Sequence, residues 1–244
     1  MSRLLFASTP ELYHLPGFHD PFSAISHLVG VAVFLMLGFL LLRRGRGDAA
    51  RMIYLSIYAF TCVLLFSMSA VYHMMERGGT ARLVMEQLDH GAIFLLIAGS
   101  CTALIGLLFR GWQRAVQLFL VWTAAITGIT LTTIFYNDLA EWLALSFYLT
   151  LGWIGGVSAV LAAQRHGFAL VRPLLWGGIL YSIGAVLEYL QWFVVIPGVI
   201  HSHEVFHLFV LSGALVHWSF VWHIASGVPY LPHPTNEAAI HDFE

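Results

Sequence analysis

Five residues of this chain have types and spacings that could do chemistry together: Ser69, His73, Asp89, His203 and His207. The segment Ser69-Ala-Val-Tyr-His73 spaces hydroxyl and imidazole four residues apart, which puts both on one side of a helix about a turn apart. His203-Glu-Val-Phe-His207 repeats that spacing, the way a single helix presents two imidazoles to one metal ion. Two ligands from one helix and one from another leave a coordination position free. Three neutral imidazoles and a water are the donor set of catalytic zinc, whose open position carries a water with its pKa lowered towards neutrality. A carboxylate at Asp89 suits orienting that water and taking its proton, and the Ser69 hydroxyl suits a hydrogen bond to the water or to a substrate oxygen. Hydrophobic walls would keep such a site dry and strengthen each of these interactions. Zn2+ is read here from ligand type, since three imidazoles also accept other divalent ions.

Residues so far apart in the chain need long elements that bring them to one level. The 244 residues are 59% hydrophobic and 10% charged, whereas a soluble domain carries about a quarter charged residues. Lipid is the solvent this composition fits. Apolar runs at about 22–42, 53–75, 88–109, 115–135, 142–163, 173–196 and 203–225 each approach the ~20 residues that cross a hydrocarbon core. Backbone groups in lipid must pair within their own segment, so the runs are read as helices. The expected fold is an all-α membrane protein, a seven-transmembrane-helix bundle enclosing a metal site near one membrane face, with residues 1–244 as a single domain. The first run lacks a small-residue cleavage site and ends at Arg43, Arg44 and Arg46, so it reads as a span and not as a cleaved signal. With seven spans, parity puts the ends of spans two, four and six and the starts of spans one, three, five and seven on one face. His73, Asp89, His203 and His207 all fall there, at similar depth.

Any one of these histidines alone would read as an interfacial hydrogen-bonding residue, because polar groups near helix ends are cheaper than at mid-bilayer. Their convergence on one face is what favours a site. His27 shares that face and is expected to make a helix-packing hydrogen bond beside the metal. His90 points about 100° round the helix from Asp89 and is not expected to be a ligand. Glu188, an ionisable residue within span six, is expected to be paired or to line the cavity. His201 is read as lying in the loop before span seven, and His217 and His223 as lying towards the far face, away from the cluster. Cys62 and Cys101 lie within spans, where small apolar residues are at home, so no structural disulfide or Cys-type finger is expected. A net charge of −2 and arginines gathered at helix ends offer no surface for nucleic acid.

Ser26-His27-Leu-Val-Gly30, Ser69-Ala-Val-Tyr-His73, Leu88-Asp89-His90-Gly-Ala-Ile-Phe-Leu-Leu-Ile-Ala-Gly99 and His203-Glu-Val-Phe-His207, in this order, resemble the hemolysin III proteins of bacteria, relatives of the progestin and adiponectin receptors. The resemblance covers nearly the whole chain. It implies a bacterial inner-membrane protein whose seven helices enclose a zinc ion held by His73, His203 and His207, with Asp89 on the bound water and Ser69 nearby. Alkaline ceramidases, with a similar pattern, hydrolyse a lipid amide. The expected function is therefore a zinc-dependent hydrolase of a lipid amide or ester, with membrane lipids and a lipid amide or fatty acid as ligands. Two other readings come from different classes: a membrane sensor or receptor with structural zinc, and a pore-forming cytolysin.

The adiponectin receptors carry their zinc-bearing face on the cytoplasmic side, and the arginines here disagree. Arg43, Arg44, Arg46, Arg51, Arg110, Arg114, Arg165 and Arg172 lie at loops one, three and five, whereas Arg3, Arg77 and Arg82 lie on the metal side. By the positive-inside rule the metal site would face away from the cytoplasm. Orientation is left open between the two, with a lean to the family arrangement.

Overall fold

The computed structural model describes residues 16–192, 194–196 and 199–227; Arg3 lies outside them. Its long helices are α1 (Pro21–Arg44), α2 (Ala49–Met74), α3 (Thr80–Leu108), α4 (Gly111–Ile134), α5 (Glu141–His166), α6 (Phe168–Leu190) and α7 (Ser202–Ile224). All 7 are long and apolar enough to cross a membrane, and the chain is a seven-helix bundle. The strands β1 (Val194–Ile196) and β2 (Ile200–His201) form a short antiparallel hairpin between α6 and α7.

Local chemistry sets the helix ends. Pro21 opens α1, where its missing N–H costs nothing and its fixed φ suits the first turn. Asp48 caps α2 by accepting a hydrogen bond from the Arg51 backbone N–H at 2.9 Å. That bond holds its carboxyl below the usual carboxylate range. Gly167, at φ 86°, reverses the chain between α5 and α6 in a single residue, a conformation side chains disfavour.

Two elements depart from the expected spans. Helix α3 begins at Thr80, about two turns before residue 88, and so carries Arg82 and Glu86 as well as Asp89. Helix α6 runs Phe168–Leu190 instead of 173–196. Gln191 takes the left-handed conformation at φ 51°, and the β-branched run Val194-Val195-Ile196 precedes a proline in the sequence. β-Branched side chains favour extended backbone, and a following proline disfavours the helical region.

Helix α3 is the core of the bundle: 72% of its most apolar window is buried, against 17% to 44% for the other six. Helices α2, α4 and α5 pack directly on it, and α1, α6 and α7 complete the bundle, with large apolar side chains on the outer faces turned to lipid. Small residues on α3 allow the close approach. A Cβ on Gly99 would lie 2.0 Å from Thr61 Oγ1, and one on Gly106 would lie 2.4 Å from the Tyr54 ring, both on α2. Gly99→Ala is therefore expected to push α2 and α3 apart at a cost of about 1–3 kcal/mol. Thermal unfolding in detergent checks this, with Gly152→Ala, where nothing lies within 4 Å, expected to melt like the parent.

Candidate metal centre

The three histidines meet at one end of the bundle. His73 sits in the last turn of α2, His203 and His207 in the first two turns of α7, and one ring nitrogen from each lies within 4.8 Å of the others. The Nε2 atoms of His73 and His203 are 3.1 Å apart. Two imidazole nitrogens on a tetrahedral ion at 2.0–2.1 Å would be about 3.3 Å apart, so this pair already has the spacing an ion needs. Ring centroids are separated by 4.6 Å to 4.9 Å. His73 and His207 are almost fully buried at 3% and 2% exposure, and His203 is partly open. These three residues could hold a metal ion.

The groups behind the rings aim them. Asp20, the residue before α1, has its Oδ2 at 3.1 Å from His73 Nδ1. A carboxylate there accepts the Nδ1–H and leaves the Nε2 lone pair facing the other two histidines. Glu188 of α6 does the same for His203, with Oε1 at 3.1 Å from Nδ1. The His207 ring meets the Ser23 backbone, although its Nδ1 reaches no partner at hydrogen-bond geometry among the described residues. His27 stacks on His207, with centroids 3.9 Å apart and planes 13° off parallel.

Asp20 is itself held on all sides. Arg77 Nη2 donates to Oδ1 at 2.9 Å, Arg82 Nη2 donates to Oδ2 at 2.5 Å, and the Asp20 backbone N–H donates to the His73 carbonyl at 2.9 Å. Arg82 also donates to the Met75 carbonyl and lies over the Tyr72 ring at 4.6 Å. Burial alone would raise the Asp20 pKa, but the hydrogen bonds from His73 and Arg82 and the Arg82 charge outweigh it. The carboxyl therefore sits well below the usual range and is ionised.

Ser69 and Asp89 line the same cavity as the three histidines. Ser69 is buried one turn before His73, and its side chain interacts with the Asp89 carboxylate. Asp89 lies close enough to His203 to interact electrostatically, yet it stands outside the group of converging ring nitrogens. All five residues named from the sequence are thus around one space. The cavity has a volume of about 1000 Å³ and runs from this polar end past Leu65, Ile97 and Val210 to Tyr181 and His217.

Of the other polar residues, His27 and His217 fall differently from their sequence reading, whereas His90 and the two cysteines fall as read. His27 makes no side-chain hydrogen bond among the described residues, and stacking replaces the expected packing bond. His90 turns its Nδ1 to the Glu86 carbonyl at 2.7 Å. His217, read as remote, borders the far end of the cavity, with Nε2 at 3.0 Å from the Leu174 carbonyl. Glu204, lying between the two α7 histidines, accepts from Ser23 Oγ at 3.0 Å and from the His201 backbone N–H at 2.9 Å, tying α7 to α1. Asp20 has no sequence reading as a site residue. Its signal is an acid immediately before a span, at the level of Arg77 and Arg82. Cys62 and Cys101 are both free and buried.

Seven membrane-crossing helices around a deep cavity, with three imidazoles converging at one end, define a multi-pass integral membrane protein with a site that could hold a metal ion. The chain belongs to the haemolysin-III-related family, whose model matches residues 18–218. It is 31% identical over 197 residues to hemolysin-3 of Bacillus cereus, covering 79% of this chain and 85% of that protein. A hemolysin-3 homolog of Bacillus subtilis is 29% identical over 214 residues, covering 86% and 95%. The monocyte to macrophage differentiation factor of Homo sapiens is 27% identical over 192 residues, covering 77% and 76%. The spans and the bacterial relatives together support a protein of the bacterial plasma membrane.

Proposed function

We propose that this protein is a zinc-dependent hydrolase acting within the membrane on a lipid amide or ester. The observation that carries the reading is the convergence of His73, His203 and His207 beside the Ser69–Asp89 pair at the polar end of an apolar cavity. The donor set fits zinc: three imidazoles, two of them with the proton side of the ring directed at a carboxylate. Zinc bound there would polarise a carbonyl oxygen and lower the pKa of a water.

The chain's own residues supply the rest. Asp89 is placed to accept a proton from the attacking water and return it to the leaving amine or alcohol. Ser69 is placed to donate a hydrogen bond to oxygen that gains charge in the transition state. The apolar walls hold the acyl chain and exclude bulk water. Asp89→Asn is expected to lower turnover by about 10²- to 10⁴-fold while leaving metal content unchanged. The check is fatty acid release from a panel of lipid amides and esters by purified, zinc-loaded protein. Release no greater than that of a His207→Ala control would sink the hydrolase.

The burial of His73 and His207 favours a second reading, in which an ion fastens α2 to α7 in a sensor without turnover. Metal removal would then lower thermal stability with no activity to lose. A cytolysin reading requires dye release from liposomes by the purified protein, unaffected by the ligand substitutions.

A further inference from the structure

We propose that the end of the bundle opposite the histidines is its cytoplasmic end, seated on anionic headgroups of the inner leaflet, so that the histidine-lined cavity opens on the outer side of the membrane. This reverses the arrangement implied by the resemblance to the adiponectin receptors, and it holds whatever chemistry the site performs.

The two ends of the bundle differ in charge. Eight arginines surround the connections α1–α2, α3–α4 and α5–α6, all within the first two or last two turns of the helices or in the turns between them. Among them Arg43, Arg44, Arg46, Arg110 and Arg172 are exposed. Several rest on aromatic rings at the same level: Arg44 over Trp222 at 4.5 Å, Arg165 over Phe109 at 5.1 Å and Arg114 over Tyr54 at 5.7 Å. Guanidinium groups over interfacial aromatic rings are placed where headgroup phosphates lie. Asp48 is the one acid at this end among the described residues.

The histidine end offers an anionic leaflet nothing comparable. Its described arginines are Arg77 and Arg82, and both are spent on Asp20, with the Arg82 side chain only 10% exposed. The sequence count of three arginines on this side therefore overstates the charge available to lipid. Glu76, Asp138 and Glu141 are exposed at this end and would be repelled by an anionic surface. Arginines in short loops and near helix ends set orientation, and they remain on the side of the anionic cytoplasmic leaflet. A 24-residue helix such as α1 spans about 36 Å, so the two ends meet opposite leaflets. Substrate and ion would then reach the histidines from outside the cell or from the outer leaflet.

Single cysteines placed in the full chain test this without altering the arginines. Asp138→Cys lies between α4 and α5 at the histidine end, and Ala50→Cys lies at the start of α2 at the arginine end; both positions are exposed. The native Cys62 and Cys101 are buried, and the unsubstituted chain gives the background. With a membrane-impermeant maleimide on intact bacterial cells, Asp138→Cys is expected to react, and Ala50→Cys only after the cells are permeabilised. Green fluorescent protein fused after Glu244, beyond the arginine end of α7, is expected to fluoresce. The reverse labelling, equal labelling of both cysteines in intact cells, or a dark fusion would overturn the proposal.

Discussion

His207→Ala is expected to remove the metal altogether, from about one ion per chain to background in elemental analysis of detergent-purified protein. His207 is 2% exposed and contributes one of three ring nitrogens lying within 4.8 Å of one another. Without it His73 and His203 remain, and a two-imidazole site completed by water holds an ion far more weakly. Loss of a group that only orients a ligand costs about 10- to 100-fold in affinity, so loss of a ligand itself must cost more. His73→Ala and His203→Ala are expected to match it. His217→Ala, which removes a histidine at the far end of the cavity, is expected to keep its ion and separates a site-specific loss from general disturbance. Metal retained by all three ligand variants would leave the histidines as a polar network.

Asp20→Ala is expected to cause the largest loss of stability, about 3–5 kcal/mol, the range found when one partner of a buried ion pair is removed. Asp20 is 6% exposed and Arg82 is 8% exposed, so the substitution strands a guanidinium with little water to replace the carboxylate. It also releases the His73 Nδ1–H and frees the ring to rotate, which is expected to lower metal affinity by about 10- to 100-fold. Thermal unfolding and competition with a chelator measure the two effects separately. The neighbouring ion pair makes a useful contrast: the Arg77 side chain is 43% exposed, and Arg77→Ala is expected to cost no more than about 1 kcal/mol. If Asp20→Ala melts like Arg77→Ala and keeps its affinity, Asp20 neither supports the fold nor orients His73.

The seven helices are legible in the sequence because charge punctuates the apolar runs, and crossing a bilayer demands helices of that length. The meeting of the three imidazoles is legible for a related reason, since two helical spacings and the parity of the spans bring His73 and the His203/His207 pair to one level. What the sequence hides is whatever depends on side-chain direction or short irregular backbone. Val194-Val195-Ile196 continues the hydropathy of α6, and only the left-handed Gln191 shows that the helix has already ended. Asp20 sits in a polar segment before the first span, and Arg77 and Arg82 look like ordinary interfacial charges. Their meeting depends on how the start of α1 packs against the end of α2. The position of His27 at the start of a span suggests a hydrogen bond, but its packing sets the ring flat on His207 instead.

His73 and His203 are separated by 130 positions along the chain, and α7 closes the bundle against α1 as well as α6. During synthesis α2 and its imidazole enter the membrane long before α7 leaves the ribosome, where chains grow at about 5–20 residues per second. The Asp20 contacts can form from the first three helices, whereas two of the three imidazoles arrive with the last. A polypeptide stalled or cut before α7 carries only one of the three converging imidazoles, His73, and lacks the other two donors of the centre. Binding of an ion at these three histidines would therefore report that insertion has run to completion, and finished molecules would differ from unfinished ones by that single event.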